Sequence, residues 1–196
     1  SFQCTGGIPT LDAPNVITIG SVAGVSKYYV YKEIIPGNGT YGWIGIAGGL
    51  TFNDNNITPL SGERPQELRD PFTGAGNKPA VSTYYQGRRV YAATINSPEL
   101  VVMSKSDIYN NLMISTPLRD DDSVSFSLAG KSVNRVVGMV GLRTLVMLTE
   151  ESEWVVNGGT SGVITPGEIN PVQQSGNGAF DLHPLLIGSE ILYVQS

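Results

Sequence analysis

The sequence predicts an all-β chain, a partial β-sandwich followed by part of a β-propeller-like domain. Three observations predict it. Short segments alternate apolar and polar residues with the period of a strand. Gly 24 and Pro 12 punctuate those segments at close intervals. A hairpin pattern recurs at roughly 40–50 residues, the spacing of stacked blades. No segment carries a convincing helical apolar period, although "SKSDIYNNLM" has room for one turn.

The first group of strands spans 14–59. "NVITIGSV" (15–22) offers Val16, Ile17 and Ile19, and "KYYVYKEI" (27–34) places Tyr28, Val30 and Lys32 opposite Tyr29, Tyr31 and Glu33. "PGNGTYG" (36–42) is dense in residues that accept positive φ and should turn the chain. "YGWIGIAG" (41–48) returns with Trp43 and two isoleucines as core candidates, and "LTFNDNNITP" (50–59) is a last strand running into an Asx turn. A complete fibronectin/Ig-like sandwich needs about seven strands. This one is therefore partial or borrows strands from elsewhere. Residues 1–13 read as an N-terminal tail, and 60–80, with mixed charge and no period, as a linker or surface-hugging loop.

From 81 to 196 the pattern is an incomplete propeller-like domain, two blades and the start of a third. "VSTYYQ" and "RRVYAAT" flank Gly87, followed by "ELVVMS" and the strictly alternating "SVSFSLAG"; "NRVVGMV", "RTLVMLTE" and "EWVVNG" come next. One shift places Gly141 on Gly87, Arg143 on Arg89, and Val155 and Val156 on Val101 and Val102. A second shift places Gly188 on Gly141 and Leu192 on Leu145. The expected structural positions are thus Gly87, Gly141, Gly188, Arg89 and Arg143, with Trp43 and Trp154 in the cores. Lone blades cannot bury both faces, and a chain that opens "SFQCTGG" and stops in "SEILYVQS" reads as a piece of something longer.

Composition limits the chemistry. A net charge of −5 argues against a surface that grips nucleic acid, though not against a wall past which DNA slides. One cysteine, Cys4, precludes an intrachain disulfide and a Cys-rich zinc site. No apolar run approaches the roughly 20 residues of a membrane-spanning helix. His183 is the sole histidine, so a nucleophilic triad would have to use it, and nothing marks converging partners. Asp120, Asp121 and Asp122 are the candidates for a hard cation, but neighbours on an extended chain diverge and the other residues of a Ca²⁺ loop are missing. Glu99, Glu150, Glu151, Glu153 and Asp107 offer carboxylates for glycoside hydrolysis without any pairing. Arg88 and Arg89 follow a turn, so one should face inward and hold a carboxylate or carbonyls. Tyr84, Tyr85 and Tyr91 read as core and sheet-face residues. The expectation is no enzyme and no cofactor.

The segments "SVAGVSKYYVYKEIIPGNGTYGWIGIAG", "FNDNNITP", "YYQGRRVYAAT", "SPELVVMSKSDIYNN", "PLRDDDSVSFSLA", "LRTLVMLTEESEWVVNGG" and "PLLIGSEILYVQS" occur in an order that resembles phage tail proteins of the nozzle, or tail tubular protein B, type. The resemblance covers roughly 14–196. It implies a fibronectin-like module beside a propeller-like domain in a longer protein, with six copies around a central channel below the portal and adaptor rings. It implies a virion tail component, made in the bacterial host cytoplasm, that retains packaged DNA and passes it at infection without sequence-specific binding. It brings no catalytic positions. The competing expectation is a carbohydrate- or receptor-binding module, with Tyr41, Trp43 and Trp154 as stacking residues.

Overall fold

Residues 13–67, 69–130 and 134–196, the side chain of Glu67 excepted, are described by a computed structural model. Cys4 and all but the last residue of the expected tail lie outside them. The secondary structure of the described residues is entirely β. The chain divides into two units, one formed by 1–66 with 115–117 and the other by 67–114 with 118–196.

In the first unit β1 (Asn15–Thr18) pairs antiparallel with β4 (Thr51–Asp54), and β2 (Tyr28–Glu33) with β3 (Tyr41–Ala47). Val30, Ile44 and Ala47 are buried between the two ribbons, with Ile17, Ile19, Tyr28, Phe52 and Ile57 packed against them. The period-2 rule places Ile17, Ile19, Tyr28 and Val30 inward while Val16 and Tyr29 point to solvent; on β3 a bulge between Trp43 and Gly45 lets Ile44 and Ala47, of opposite parity, both face in. Lys32 Nζ meets Asp54 Oδ2 at 2.9 Å, an ion pair between β2 and β4. The other oxygen of Asp54 accepts the Ile57 amide at 2.9 Å, so "NDNNI" is an Asx-type turn. Between β2 and β3 the Glu33 carboxylate accepts the amides of Gly37 and Gly39 and shapes the "PGNG" loop.

The segment 60–80 is not a single linker. Leu60 and Glu63 hydrogen-bond to the backbone of Trp43. β5 (Arg64–Glu67) then pairs with β9 (Ile114–Thr116), so Ser115–Pro117 returns to the first unit as a borrowed strand. From Arg69 onward the chain hugs the second unit: Phe72 is buried against Tyr91, and Asn96 holds the carbonyls of Ala75 and Gly76.

The second unit contains two antiparallel four-stranded sheets. β6 (Val81–Tyr85), β7 (Arg88–Ala92), β8 (Leu100–Met103) and β10 (Val124–Ser127) form one, in that order across the sheet. β11 (Val136–Gly141), β12 (Leu145–Thr149), β13 (Glu153–Asn157) and β14 (Asn170–Ser175) form the other. A hairpin of β15 (Leu185–Ile187) and β16 (Glu190–Leu192) follows. One core joins the two large sheets: Val90, Ala92, Val101, Met103 and Val124 from the first share it with Val136, Met139, Leu145, Met147 and Val156 from the second. The far face of the second sheet buries Val137 and Leu148 with Ala179, and Val146 and Tyr193 pack there. The valines aligned in the sequence, Val101–Val102 and Val155–Val156, occupy the third strand of their respective sheets.

The three aligned glycines serve two purposes. Gly87 and Gly188 take φ of 67° and 64° in hairpin turns, where a side chain is disfavoured. Gly141 instead ends β11 where the first sheet approaches: a Cβ there would lie 2.7 Å from the Tyr84 carbonyl oxygen. Gly141→Ala should therefore cost about 1–3 kcal/mol by overpacking, read as a lowered midpoint in urea. Gly48→Ala, with open space around its Cα and no positive φ, should leave the midpoint unchanged within the error of the measurement.

Candidate functional site

Position 88 shares a face of β7 with Val90 and Ala92, so the inward arginine is Arg88, 2% exposed, rather than Arg89. Its Nη1 donates to the carbonyls of Ser104 at 2.8 Å and Asp122 at 2.5 Å, and its Nη2 to that of Asp120 at 2.6 Å. Backbone oxygens carry partial negative charge, and here the acidic loop directs them at a guanidinium. Burial lowers the Arg88 pKa, while Asp121, Asp122 and Asp107 act in the opposite direction.

The carboxylates of that loop do not assemble a cation site. Asp122 is fully buried with Oδ1 2.7 Å from Lys105 Nζ, and its Oδ2 accepts the Arg119 amide at 2.9 Å. Asp121 lies 3.4 Å from the same ammonium with its side chain 55% exposed, and Asp120 faces solvent. Among the described residues no group of three His, Cys, Asp or Glu side chains is placed to hold a metal ion. Divergence of neighbouring side chains explains the result: the loop turns its carbonyls inward, and only one of three carboxylates follows.

Arg89, on the opposite face of β7, rests against the rings of Tyr91 and Tyr84, at 5.1 and 5.8 Å from their centroids. Tyr84 sits edge-on to Tyr109 at 5.2 Å, and Phe72 tilts against Tyr91 at 5.1 Å. Arg143, aligned with Arg89 in the sequence, lies instead in the exposed β11–β12 turn, where its carbonyl accepts the Tyr85 hydroxyl at 3.0 Å. The equivalence of these two arginines therefore fails in space: one is on a strand and the other in a turn.

A third cluster lies on the second sheet. Glu153 accepts the hydroxyls of Tyr193 and, at 2.7 Å, Ser175. Glu153 and Tyr193 border a cleft of about 210 Å³ walled by Val146, Leu148, Trp154, Gln174 and Ile191. The bond to Glu153 pushes the Tyr193 phenol up to about 12, with burial and the carboxylate charge adding to it. Glu153 is the one carboxylate on this cleft, so the acid pair of a glycosidase is not formed there. Glu99 instead accepts the Asn134 amide, Asp107 donates its amide to the Gly87 carbonyl, and Glu150, Glu151 and His183 are exposed.

Of the proposed stacking residues, Trp154 is 6% exposed and donates its indole N–H to Ser152 Oγ at 2.8 Å, so it presents no open face. Trp43 is half-buried, with its indole nitrogen buried and unpaired, and Tyr41 is exposed on the same strand. The ring pairs among the described residues lie elsewhere, at Tyr84–Tyr109 and Phe72–Tyr91. Sequence reasoning passed over Tyr109 and Tyr193: Tyr109 comes from a segment with no strand pattern, Tyr193 follows directly on β16 in a stretch read as strand, and only the tertiary fold brings each to its partners. No protein-family model matches the chain, and no curated protein matches it either.

Arg88→Gln should cost about 3–5 kcal/mol by stripping a buried charge network of its cation, whereas Arg89→Gln should cost about 1 kcal/mol or less. Urea denaturation of both variants checks the contrast. In an absorbance titration one tyrosine should ionise near pH 12 and vanish from the curve in Tyr193→Phe. Because the folded pKa lies above the ordinary 10.0, the bond's contribution to stability is complete below pH 10 and is lost as pH rises toward 12. The wild-type protein should therefore lose more stability over that window than Tyr193→Phe.

Proposed function

We propose that the chain is part of a virion structural protein, a tail hub or nozzle component whose copies form a ring around the DNA channel. The observation that carries this reading is the succession of sheets in the second unit. Two antiparallel meanders of equal strand number share one core, with their first strands β6 and β11 side by side. The hairpin β15–β16 follows, led by Pro184, whose ring approaches β11 at Gly138. Consecutive propeller blades are arranged in this way, inner strand beside inner strand. A β unit of strands β1–β5 with a borrowed strand precedes it in the chain, in keeping with the module order that the sequence resemblance implies.

Under this reading the work of the protein is mechanical and electrostatic. Heterologous contacts between identical subunits close a ring. The excess of acidic residues, −5 overall, keeps passing DNA from adhering, because there are few clustered cations to release its counterions. Portal-adaptor and other tail proteins are the partners, and the virion tail is its place of action.

Light scattering on the full-length product tests the proposal. A mass of about six subunits, with no saturable affinity for duplex DNA at about 0.15 M salt, is the expected result. A full-length product that stays monomeric in the presence of its portal-adaptor partners would overturn it.

A further inference from the structure

We infer that Arg89 and the tyrosines around it form a binding site for a small organic anion, one that joins a carboxylate or phosphate to a flat or apolar ring. The chemistry is that of a uronic acid or a sugar phosphate. Three features of the cluster lead there.

First, the cation is held but not neutralised. Among the described residues no carboxylate forms an ion pair with Arg89, and its Nε is buried with no hydrogen-bond partner. Its neighbour Arg88 is the opposite case, saturated by backbone carbonyls. Asp107, in the loop after β8, lies against Gly87 and acts electrostatically on Arg88.

Second, the contacts Arg89 does make leave its donors available. Ring faces attract a guanidinium through its charge and can lie against its plane, whereas hydrogen bonds run outward within that plane. Proximity to the Tyr84 and Tyr91 rings uses none of the Nη–H donors, which remain for a planar or tetrahedral oxyanion. Such a pairing is charge-assisted and can be bidentate.

Third, the cluster has a fixed side and an open side. Tyr91 is braced by Phe72, 8% exposed, and by the bond from its hydroxyl to the Tyr109 carbonyl at 3.1 Å. Tyr84 is 58% and Tyr109 43% exposed, which leaves ring surface beside the cation for a ligand to cover. A net-acidic protein repels long polyanions, so a ligand with a single anionic group fits better than a nucleic-acid strand.

The test is an NMR titration of the whole chain at constant ionic strength, following the backbone amide resonances of positions 84, 89, 91 and 109, which every variant retains, with the Arg89 Nε–Hε resonance as an additional probe in the wild type. The probes are D-glucuronate, glucose 6-phosphate, glucose and sodium chloride. Saturable shifts with glucuronate, with glucose 6-phosphate, or with both support the site and tell which oxyanion it takes. The response should disappear in Arg89→Gln and weaken about tenfold in Arg89→Lys, which keeps the charge but not the fork. Tyr84→Ala, at an exposed position, should weaken it by about three- to tenfold. Arg143→Gln should bind as wild type. Equal shifts with chloride, equal shifts with neutral glucose, or undiminished binding by an Arg89→Gln protein of unchanged circular dichroism would each overturn the inference.

Discussion

The Arg88 guanidinium is what allows the first large sheet to close. Its strands are not contiguous: after β8 the chain departs, lends Ser115–Pro117 to the first unit, and must come back to supply β10. The return runs through Asp120–Asp122, where the carbonyls of Asp120 and Asp122 turn toward Arg88 with no backbone partner in the sheet, while that of Asp121 accepts the Ser106 amide. Buried carbonyls without donors are costly, and Arg88 supplies those donors while the Lys105–Asp122 pair fixes the loop's one buried carboxylate. Val124 and Leu128 enter the shared core only because this loop delivers them there. A buried cation on one strand thus determines where a segment more than thirty residues later re-joins the sheet.

That dependence extends to the second sheet, whose first strand is buried along nearly its whole length. β11 has one face in the common core and the other beneath Ala179 and its neighbours, so its residues cannot alternate with polar ones. Close sheet-to-sheet approach sets the further demand for glycine at 138 and 141, where the Pro184 ring and the Tyr84 carbonyl occupy the space of a side chain. The first sheet faces the core on one side and the Tyr84–Arg89–Tyr91 cluster on the other. Strands β6 and β7 keep a clear two-residue period for that reason, whereas the central β8 is buried almost throughout.

What could be read in the sequence follows from these physical causes. The first four strands of the first unit were legible because they carry apolar and aromatic residues in short runs bounded by turn residues. Strand β5 was not: Arg-Pro-Gln-Glu lacks apolar alternation, and its pairing with the three residues of β9 is decided by chain return. Strand β14, Asn-Pro-Val-Gln-Gln-Ser, was hidden likewise by its polarity. The acidic triplet was a weak candidate for a cation and read better as a turn; that the loop works through its carbonyls was hidden, because sequence displays side chains. Arg88 and Arg89 were recognised as an inside–outside pair, and the parity of Val90 and Ala92 was the signal that would have assigned them. The recurring glycine at 141 was visible, but its purpose depends on a neighbouring sheet that no local pattern encodes. The Arg89 cluster draws on four separate segments, with Phe72 and Tyr109 arriving from loops.

The polarity of β14 has a consequence of its own. It is the outermost strand of the second sheet, and it carries Pro171, Gln173 and Gln174 where an adhesive edge would carry an unbroken row of amides and apolar side chains. A proline withholds one ladder donor, and solvated glutamines give an incoming strand little to bury. Lateral growth is thereby discouraged at this border, while the flanking hairpin presents Leu185, Leu186, Ile187 and Leu192 half-exposed. The β14 edge thus resists widening of the second sheet by an added strand.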